Sequence, residues 1–100
     1  MTNVVYTVQN VIFEWDSEKA SANWRKHAVS LESAVEAFFD PFLLVVDDEE
    51  YVGQELREKV IGMTQDWQVI LVVYVMRSDR VRLISARVAT GEERRLYENQ

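Results

Sequence analysis

Cysteine is absent from this sequence of 100 residues, and proline occurs once, glycine three times and histidine once. The absence of cysteine excludes disulfide frameworks and thiolate metal sites, and with them most zinc modules. No glycine-rich phosphate loop is present, and the acidic run at residues 47–50 lacks the ligand spacing and the glycine of a calcium-binding loop. The sequence therefore predicts neither a metal site nor a cofactor.

The sequence also lacks the segments that are typical of export or membrane insertion. The first ten residues contain no lysine or arginine and no long apolar run, so we expect no secretory signal. The longest apolar stretch, residues 69–76, is far shorter than the roughly 20 residues that span a bilayer. No repeat or linker divides the chain. We therefore expect a single domain over residues 1–100, located in the cytoplasm and without membrane contact.

The net charge of −6 argues against an extended surface for nonspecific binding of nucleic acid. The charges are unevenly distributed, however. Residues 32–50 contain seven acids and no base, whereas residues 77–87 contain four arginines and one acid. The sequence thus predicts a local cationic patch on a globally acidic protein.

Hydrophobic spacing and capping residues predict two helices in the N-terminal half. A strand is expected over residues 11–14, and the first ten residues could extend it or fray. Asp16 is a typical N-cap for a helix over residues 17–26. Ser30 is a second N-cap, and its helix is expected to end at Asp40-Pro41, because the residue before a proline disfavours the helical conformation.

The rest of the chain is predicted to form antiparallel strands and one further helix. Strands are expected over residues 42–46, 56–63, 67–77 and 80–87, with a solvated acidic loop at 47–50 and a turn at 78–79. Gly62 is expected to close its strand. Thr90 and Glu93 have the spacing of a capping box that begins a short C-terminal helix. The predicted fold class is α+β, an antiparallel sheet packed on two N-terminal helices with a short C-terminal helix.

Alternation of side chains across the hairpin of residues 67–87 separates its polar residues between two faces. Ser85 and Arg87 fall on the mostly apolar face, which we expect to pack on the helices. Three arginines fall on the opposite, exposed face: Arg77, Arg80 and Arg82. Their planar guanidinium groups match the geometry of phosphate oxygens. The alternative is that they are surface charges that pair with the acidic loop.

The only histidine, His27, follows Lys26 at the end of the first predicted helix. Cations at this position are stabilised by the helix dipole, which explains both residues without a function. An imidazole also exchanges a proton near neutral pH, as general acid–base catalysis requires. The two interpretations remain open from the spacing alone.

Several segments in order resemble the BrnT toxin family, over residues 11–98. They are Phe13-Glu14-Trp15-Asp16, Lys19, Asn23, Lys26-His27-Ala28-Val29-Ser30, Asp40-Pro41, Glu55, Arg57, Gly62, residues 80–87, Ala89-Thr90, Glu93-Arg94 and Tyr97. The chain departs from the family pattern at Ala28, where glycine is usual, and at Gly91, where a charged residue is usual.

The resemblance implies a RelE-like fold and the activity of an endoribonuclease toxin that cleaves RNA and inhibits translation. It also implies neutralisation by a BrnA-like ribbon-helix-helix antitoxin, with operator DNA bound only through that antitoxin. The catalytic residues that it implies are Lys26, His27, Arg57, Ser85 and Arg87, with Arg77, Arg80 and Arg82 as contacts for RNA phosphates. If the 2′-hydroxyl of the RNA attacks the adjacent phosphate without a metal, His27 or Glu55 could serve as base or acid.

A second hypothesis is a toxin-like binding module that has lost catalysis and acts only as a co-repressor or partner of a ribbon-helix-helix protein. The acidic net charge and the departure at Ala28 favour it. The presence or absence of RNA cleavage distinguishes the two hypotheses.

Overall fold

The computed structural model describes residues 2–100, which form three helices and a six-stranded sheet. The elements are β1 (Asn3–Val8), β2 (Val11–Asp16), α1 (Ser17–His27), α2 (Leu31–Phe38), β3 (Leu44–Val52), β4 (Glu55–Met63), β5 (Val69–Arg77), β6 (Arg80–Val88) and α3 (Gly91–Glu98). None of the helices in this range has the length and apolar character needed to cross a membrane.

The sheet has the strand order β1-β2-β6-β5-β4-β3 and is mixed. Most neighbours are antiparallel, but Ile12, Phe13 and Glu14 of β2 run parallel to Arg80, Val81 and Arg82 of β6. The α+β class is confirmed, and the expectation of a purely antiparallel sheet is wrong at this pair. Two helices and three strands separate β2 from β6, and such a long connection allows the chain to return in the same direction.

Residues 3–8 form a strand of their own, and Met1 lies outside the described residues. β1 pairs with β2 in an antiparallel hairpin, and Gln9 and Asn10 in its turn both have positive φ, which is the conformation of a type I′ turn. Residues 3–10 therefore form a hairpin with β2, and they neither extend β2 nor fray. β2 runs two residues beyond the predicted 11–14 and ends at Asp16, whose carboxylate accepts a hydrogen bond from Glu18 N at 3.2 Å and caps α1.

The acidic residues 47–50 belong to strand β3, so the prediction of a solvated loop is wrong. β3 is an edge strand, where charged side chains reach water and discourage pairing with other chains. Cross-strand bases also compensate for the charge: Lys59 Nζ lies 2.7 Å from Asp48 Oδ2, and Arg57 is the register partner of Glu50. β3 and β5 each begin two residues later than predicted, so Phe42 and Trp67 precede their strands.

The two faces of the sheet pack on different helices, and we call them the α2 face and the α3 face. On the α2 face, Phe13, Leu31 and Val72 are fully buried. On the α3 face, a smaller cluster joins Tyr97 of α3 to Leu71 and its neighbours. Complete burial of a side chain such as leucine or phenylalanine contributes roughly 1.5–3 kcal/mol, so the α2 face carries most of the hydrophobic stabilisation.

A bulge in β6 changes which face its last residues occupy. Arg77 pairs with Arg80, and the register is regular to Tyr74 and Leu83. The next partners are Val73 and Ser85, which leaves Ile84 as the extra residue. Side chains beyond a bulge move to the opposite face. Ser85 and Arg87 therefore lie on the α3 face, and their predicted placement on the helix-packed apolar face is wrong.

Gly62 lies inside β4, paired with Ile70, and does not close the strand. A Cβ at this position would lie 2.6 Å from the Ala37 carbonyl oxygen and 3.1 Å from Ala37 Cβ. The missing side chain thus permits the close approach of α2 to the sheet. We expect Gly62→Ala to lower the free energy of unfolding by roughly 1–3 kcal/mol, as overpacking does, measured by urea denaturation.

Gly91→Ala is the matched control, because a Cβ there meets only the end of the flexible Arg95 side chain at 3.6 Å. It should leave stability unchanged or raise it by up to about 1 kcal/mol. A Gly62→Ala protein as stable as the wild type would contradict the packing argument.

Candidate active site

A cleft of about 280 Å³ lies between one side of α1 and the middle of β6. Its walls are Lys19, Ala22, Asn23, Lys26 and His27 from the helix and Ile84 and Ser85 from the strand. The helical residues recur at spacings of three and four, which places their side chains on one face of α1. We call this the α1–β6 cleft.

The cleft exists because β2 stops pairing with β6 after Arg82 and continues as α1. The buried side chain of Asn23 bonds to β6 beyond that point. Its Nδ2 donates to Ala86 O at 2.9 Å and to Val29 O at 2.8 Å, and its Oδ1 accepts from Ala86 N at 3.1 Å. One amide therefore satisfies the backbone of Ala86 and fixes the end of α1 to the strand.

Helix α1 ends in a left-handed residue. Ala28 has φ +55° and donates its backbone N–H to Trp24 O at 2.8 Å. Glycine is favoured in this conformation because it has no Cβ. Ala28 adopts the same helix-ending geometry, so the departure from the family pattern leaves the position of the preceding Lys26 and His27 intact.

The α1–β6 cleft is cationic. Lys19 and Lys26 are exposed, and His27 and Ser85 are half-buried. Within residues 2–100 no carboxylate lines the cleft, and Lys19, Lys26 and His27 make no hydrogen bond or ion pair through their side chains. Two ammonium groups, an imidazole and a hydroxyl can together bind an anion and exchange a proton beside it.

A second group of cations lies on the α3 face at the hairpin end of the sheet. We call Arg57, Arg77, Arg80 and Arg82 the arginine cluster. Glu14, which is buried, accepts from Arg80 Nη1 at 3.2 Å and from Arg82 Nη1 at 2.7 Å.

The other half of this cluster centres on Glu55, whose carboxylate binds Arg77 through two hydrogen bonds of 2.6 and 3.0 Å. The bond to Arg77 lowers the pKa of Glu55 and raises that of the guanidinium. Arg57 has no side-chain hydrogen bond or ion pair within residues 2–100. The predicted alternative was pairing of Arg77, Arg80 and Arg82 with the acidic residues 47–50. The carboxylates that bind these three arginines are instead Glu14 and Glu55.

Burial by itself would raise the pKa of Glu14, but the hydrogen bonds and charges of Arg82 and Arg80 outweigh it and hold this pKa below its usual value of 4.5. A carboxyl group with a lowered pKa in the folded state stabilises the fold above the unfolded pKa. That contribution is lost as the pH falls through the folded pKa.

We therefore expect the Glu14→Gln variant to be less stable than the wild type at pH 7, and the difference to shrink below about pH 4.5. Urea denaturation at pH 7, 5 and 3 measures this. Glu49→Gln, at an exposed position of β3, is the control and should keep the wild-type dependence. An equal gap between Glu14→Gln and wild type at all three pH values would show that ionisation of Glu14 is not the cause.

Arg87 stands apart from both groups. Its guanidinium forms two hydrogen bonds with the Glu93 carboxylate, at 2.8 and 2.9 Å. Glu93 also accepts from Thr90 N at 2.9 Å in the capping box of α3, and its bond to Arg87 lowers its pKa. This arrangement joins β6 to the start of α3.

The structure brings Lys26, His27 and Ser85 into one cleft, together with Lys19, which the sequence argument did not select. Lys19 could have been found from its position seven residues before Lys26, two turns along the same helix face. Arg82 lies three positions from Ser85 along β6, roughly 10 Å at about 3.3 Å per residue. The other predicted site residues do not line the cleft: Glu55, Arg57, Arg77, Arg80, Arg82 and Arg87.

Comparison with known families identifies a match. A family model described as "Ribonuclease toxin, BrnT, of type II toxin-antitoxin system" matches residues 15–93, which include the α1–β6 cleft and the arginine cluster. The chain matches no curated protein sequence significantly.

Proposed function

The chain belongs to the BrnT family of ribonuclease toxins of type II toxin–antitoxin systems, and we propose that it is itself an endoribonuclease that cleaves RNA in the cytoplasm and so inhibits translation. The observation that carries this proposal is the α1–β6 cleft. It places an imidazole, two ammonium groups and a hydroxyl around a space without a lining carboxylate, within residues 2–100. Cleavage of a phosphodiester without a metal requires groups of this kind, which transfer protons and stabilise negative charge.

In the proposed reaction, the RNA 2′-hydroxyl oxygen attacks the adjacent phosphorus and the bond to the 5′-oxygen breaks. The products are a 2′,3′-cyclic phosphate and a 5′-hydroxyl. The 2′-hydroxyl loses a proton and the leaving oxygen gains one, and in this proposal His27 is the group of the cleft that takes part in this proton transfer. Lys26 and Lys19 stabilise the additional negative charge on the phosphate, and Ser85 donates a hydrogen bond to it.

The arginine cluster binds phosphates that flank the cleaved bond. Arg57 has its full set of donors available, and a guanidinium that is paired with a carboxylate keeps further N–H donors for a phosphate. In this proposal Glu55 and Glu14 orient the arginines that they bind, and Glu55 does not exchange the proton of the reaction. Arg87 supports the site by joining β6 to α3.

The proposal includes a RelE-like fold and a partner. The family implies an antitoxin, and we propose a BrnA-like ribbon-helix-helix protein that alone contacts operator DNA. The two proteins would thus divide RNA cleavage and DNA recognition between them.

The test is expression of the chain in bacteria with and without the gene beside it, followed by analysis of total RNA and of RNA treated with the purified protein. We expect growth arrest and RNA decay only when the neighbouring gene is absent. We also expect cleavage in vitro to continue in the presence of a chelator and to leave 2′,3′-cyclic phosphate ends. Intact RNA in the presence of folded, purified protein would contradict the proposal and favour the binding module.

A further inference from the structure

A groove of about 560 Å³ lies at the end of the sheet away from the arginine cluster, between the α2–β3 turn, the β4–β5 turn and the end of α3. Its apolar lining comes from Pro41, Phe42, Met63, Trp67 and Tyr97. We call it the Trp67 groove. In the described part of the chain it shares no lining residue with the α1–β6 cleft.

Two aromatic side chains at the groove are unusually accessible. Trp67 is 81% exposed and Phe42 is 67% exposed. Tryptophan is the residue most often found at the energetic centre of protein interfaces, whereas an aromatic ring exposed to this extent gains little in an isolated protein. The two rings thus form a surface suited to a binding partner.

The backbone of Trp67 strengthens this conclusion. Its φ is +63°, in the left-handed region, and the turn is closed by the hydrogen bonds from Trp67 N to Thr64 O at 3.1 Å and from Thr64 N to Gln68 O at 2.9 Å. A bulky residue is an outlier there, and glycine or asparagine would relieve the strain. The turn geometry therefore does not explain the tryptophan, whose side chain is presented to solvent.

The floor of the groove is rigid before any partner binds. The Asp40 carboxylate accepts hydrogen bonds from Phe42 N at 2.9 Å, from Met63 N at 2.8 Å and from the Tyr97 hydroxyl. Burial and the neighbouring Asp40 raise the pKa of Tyr97 to about 12, so the phenol stays protonated and keeps its bond. A preformed site of this kind loses little conformational entropy on binding.

The charge of the groove indicates what it binds. Together with the shallower cleft that continues it towards α2, it is lined by Glu36, Asp40 and Glu98, and by no lysine, arginine or histidine within residues 2–100. Carboxylates beside exposed aromatic rings are complementary to a guanidinium or ammonium group, through ion pairs and cation–π contacts. The apolar lining requires a large apolar side chain next to that cation.

We propose that the Trp67 groove docks a segment of the antitoxin in which a large apolar side chain lies beside an arginine or lysine. The inference rests on the proposed function only in naming the partner as an antitoxin. The chain carries a comparable pair of its own, the exposed Trp24 followed by Arg25. Docking of that pair into a second copy would bring together two chains that each carry a net charge of −6, so a separate, cationic partner is favoured.

The experiment is a calorimetric titration of the chain with the purified antitoxin from the neighbouring gene. Trp67→Gly removes the side chain and suits the left-handed backbone, so the turn remains intact. We expect Trp67→Gly to weaken binding by about 30-fold or more, as loss of an interface hot spot does. Phe42→Ala should weaken it by about 10-fold, and Glu36→Gln/Glu98→Gln should reduce the salt dependence of binding.

Trp24→Ala is the matched control, since it removes an exposed tryptophan elsewhere, and it should bind as the wild type does. Wild-type affinity in both Trp67→Gly and Phe42→Ala would overturn the inference. So would self-association that is lost equally in Trp67→Gly and Trp24→Ala, which would assign the groove to a second copy. RNA cleavage, assayed without antitoxin, separates the two proposals: a chain that does not cleave RNA but needs Trp67 for binding defeats only the proposed function.

Discussion

Replacing His27 by alanine is expected to lower the rate of RNA cleavage by about 10²–10⁴-fold while leaving the fold intact. His27 is half-buried in the α1–β6 cleft, and its ring bonds to no other residue within residues 2–100. Its loss therefore removes a proton-exchanging group without leaving a buried polar atom unpaired. The measurement is single-turnover cleavage of an RNA oligonucleotide, with circular dichroism to verify folding.

The Lys26→Ala variant extends the same cleavage assay to a second residue of the cleft. Lys26→Ala should lower the rate by on the order of 10²-fold, because an ammonium group beside the phosphate stabilises charge in the transition state. If the two residues act on one phosphodiester, the effects in the double variant should not simply add. Arg25→Ala is the matched control: Arg25 is a cation in the same helical turn, and it lies outside the lining of the cleft. Full toxicity of the Lys26→Ala/His27→Ala variant would remove the cleft from consideration as the active site.

The helices were predictable because their signals are local. Ser30 accepts a hydrogen bond from Ser33 N at 3.1 Å, and Thr90 and Glu93 form both bonds of the capping box. These contacts join residues three positions apart, so the sequence pattern contains both partners. The adjacent positions of Lys26 and His27 at the end of α1 followed from the same signals.

The details of the sheet were not predictable in this way, because they depend on partners distant in sequence. The bulge at Ile84 changes the face of Ser85 and Arg87, and no turn residue in the segment marks it. The ion pairs of Glu14 with Arg80 and Arg82 require the parallel pairing of β2 and β6. They join residues that are 66 and 68 positions apart in the sequence. The alternation of apolar and polar residues along one strand predicts neither the bulge nor the pairing of β2 with β6.

In the candidate site, too, the local features were predictable from the sequence and the contacts between distant residues were not. A helix pattern places Lys19, Lys26 and His27 on one face, but only the tertiary fold determines that this face meets Ser85. The arginines were correctly assigned to one face from the hairpin register as far as Arg82. Their carboxylate partners were not, because Glu14 and Glu55 come from strands on either side of the hairpin.

Replacement of Asn23, the residue that connects the two walls of the cleft, is expected to lower both the free energy of unfolding and the rate of RNA cleavage. Asn23→Ala removes three hydrogen bonds in a buried position and leaves the N–H and C=O of Ala86 and the carbonyl of Val29 without their partner. Each buried group that loses its partner costs about 1–3 kcal/mol, so for three such groups we expect the free energy of unfolding to fall by at least about 3 kcal/mol. Urea denaturation measures it.

Asn23→Asp separates the contributions of the amide. The carboxylate can still accept from Ala86 N, but it cannot donate to Ala86 O or Val29 O, so most of the loss should remain. Asn99→Ala is the control, since Asn99 is exposed and its side chain makes no hydrogen bond within residues 2–100. A destabilised Asn99→Ala variant would indicate that the assay reports something other than the buried amide.

Cleavage by Asn23→Ala then tests whether the same amide organises the site. Measured well below the unfolding midpoint, the rate should fall by about 10²-fold, because displacement of a catalytic group by about 1 Å has an effect of that size. Addition of free imidazole should not restore it, since His27 is present but misplaced, whereas imidazole can partly restore His27→Ala. A folded Asn23→Ala protein that cleaves RNA at the wild-type rate would show that Lys26 and His27 reach the phosphate without being fixed to β6, and the cleft would lose its geometric basis.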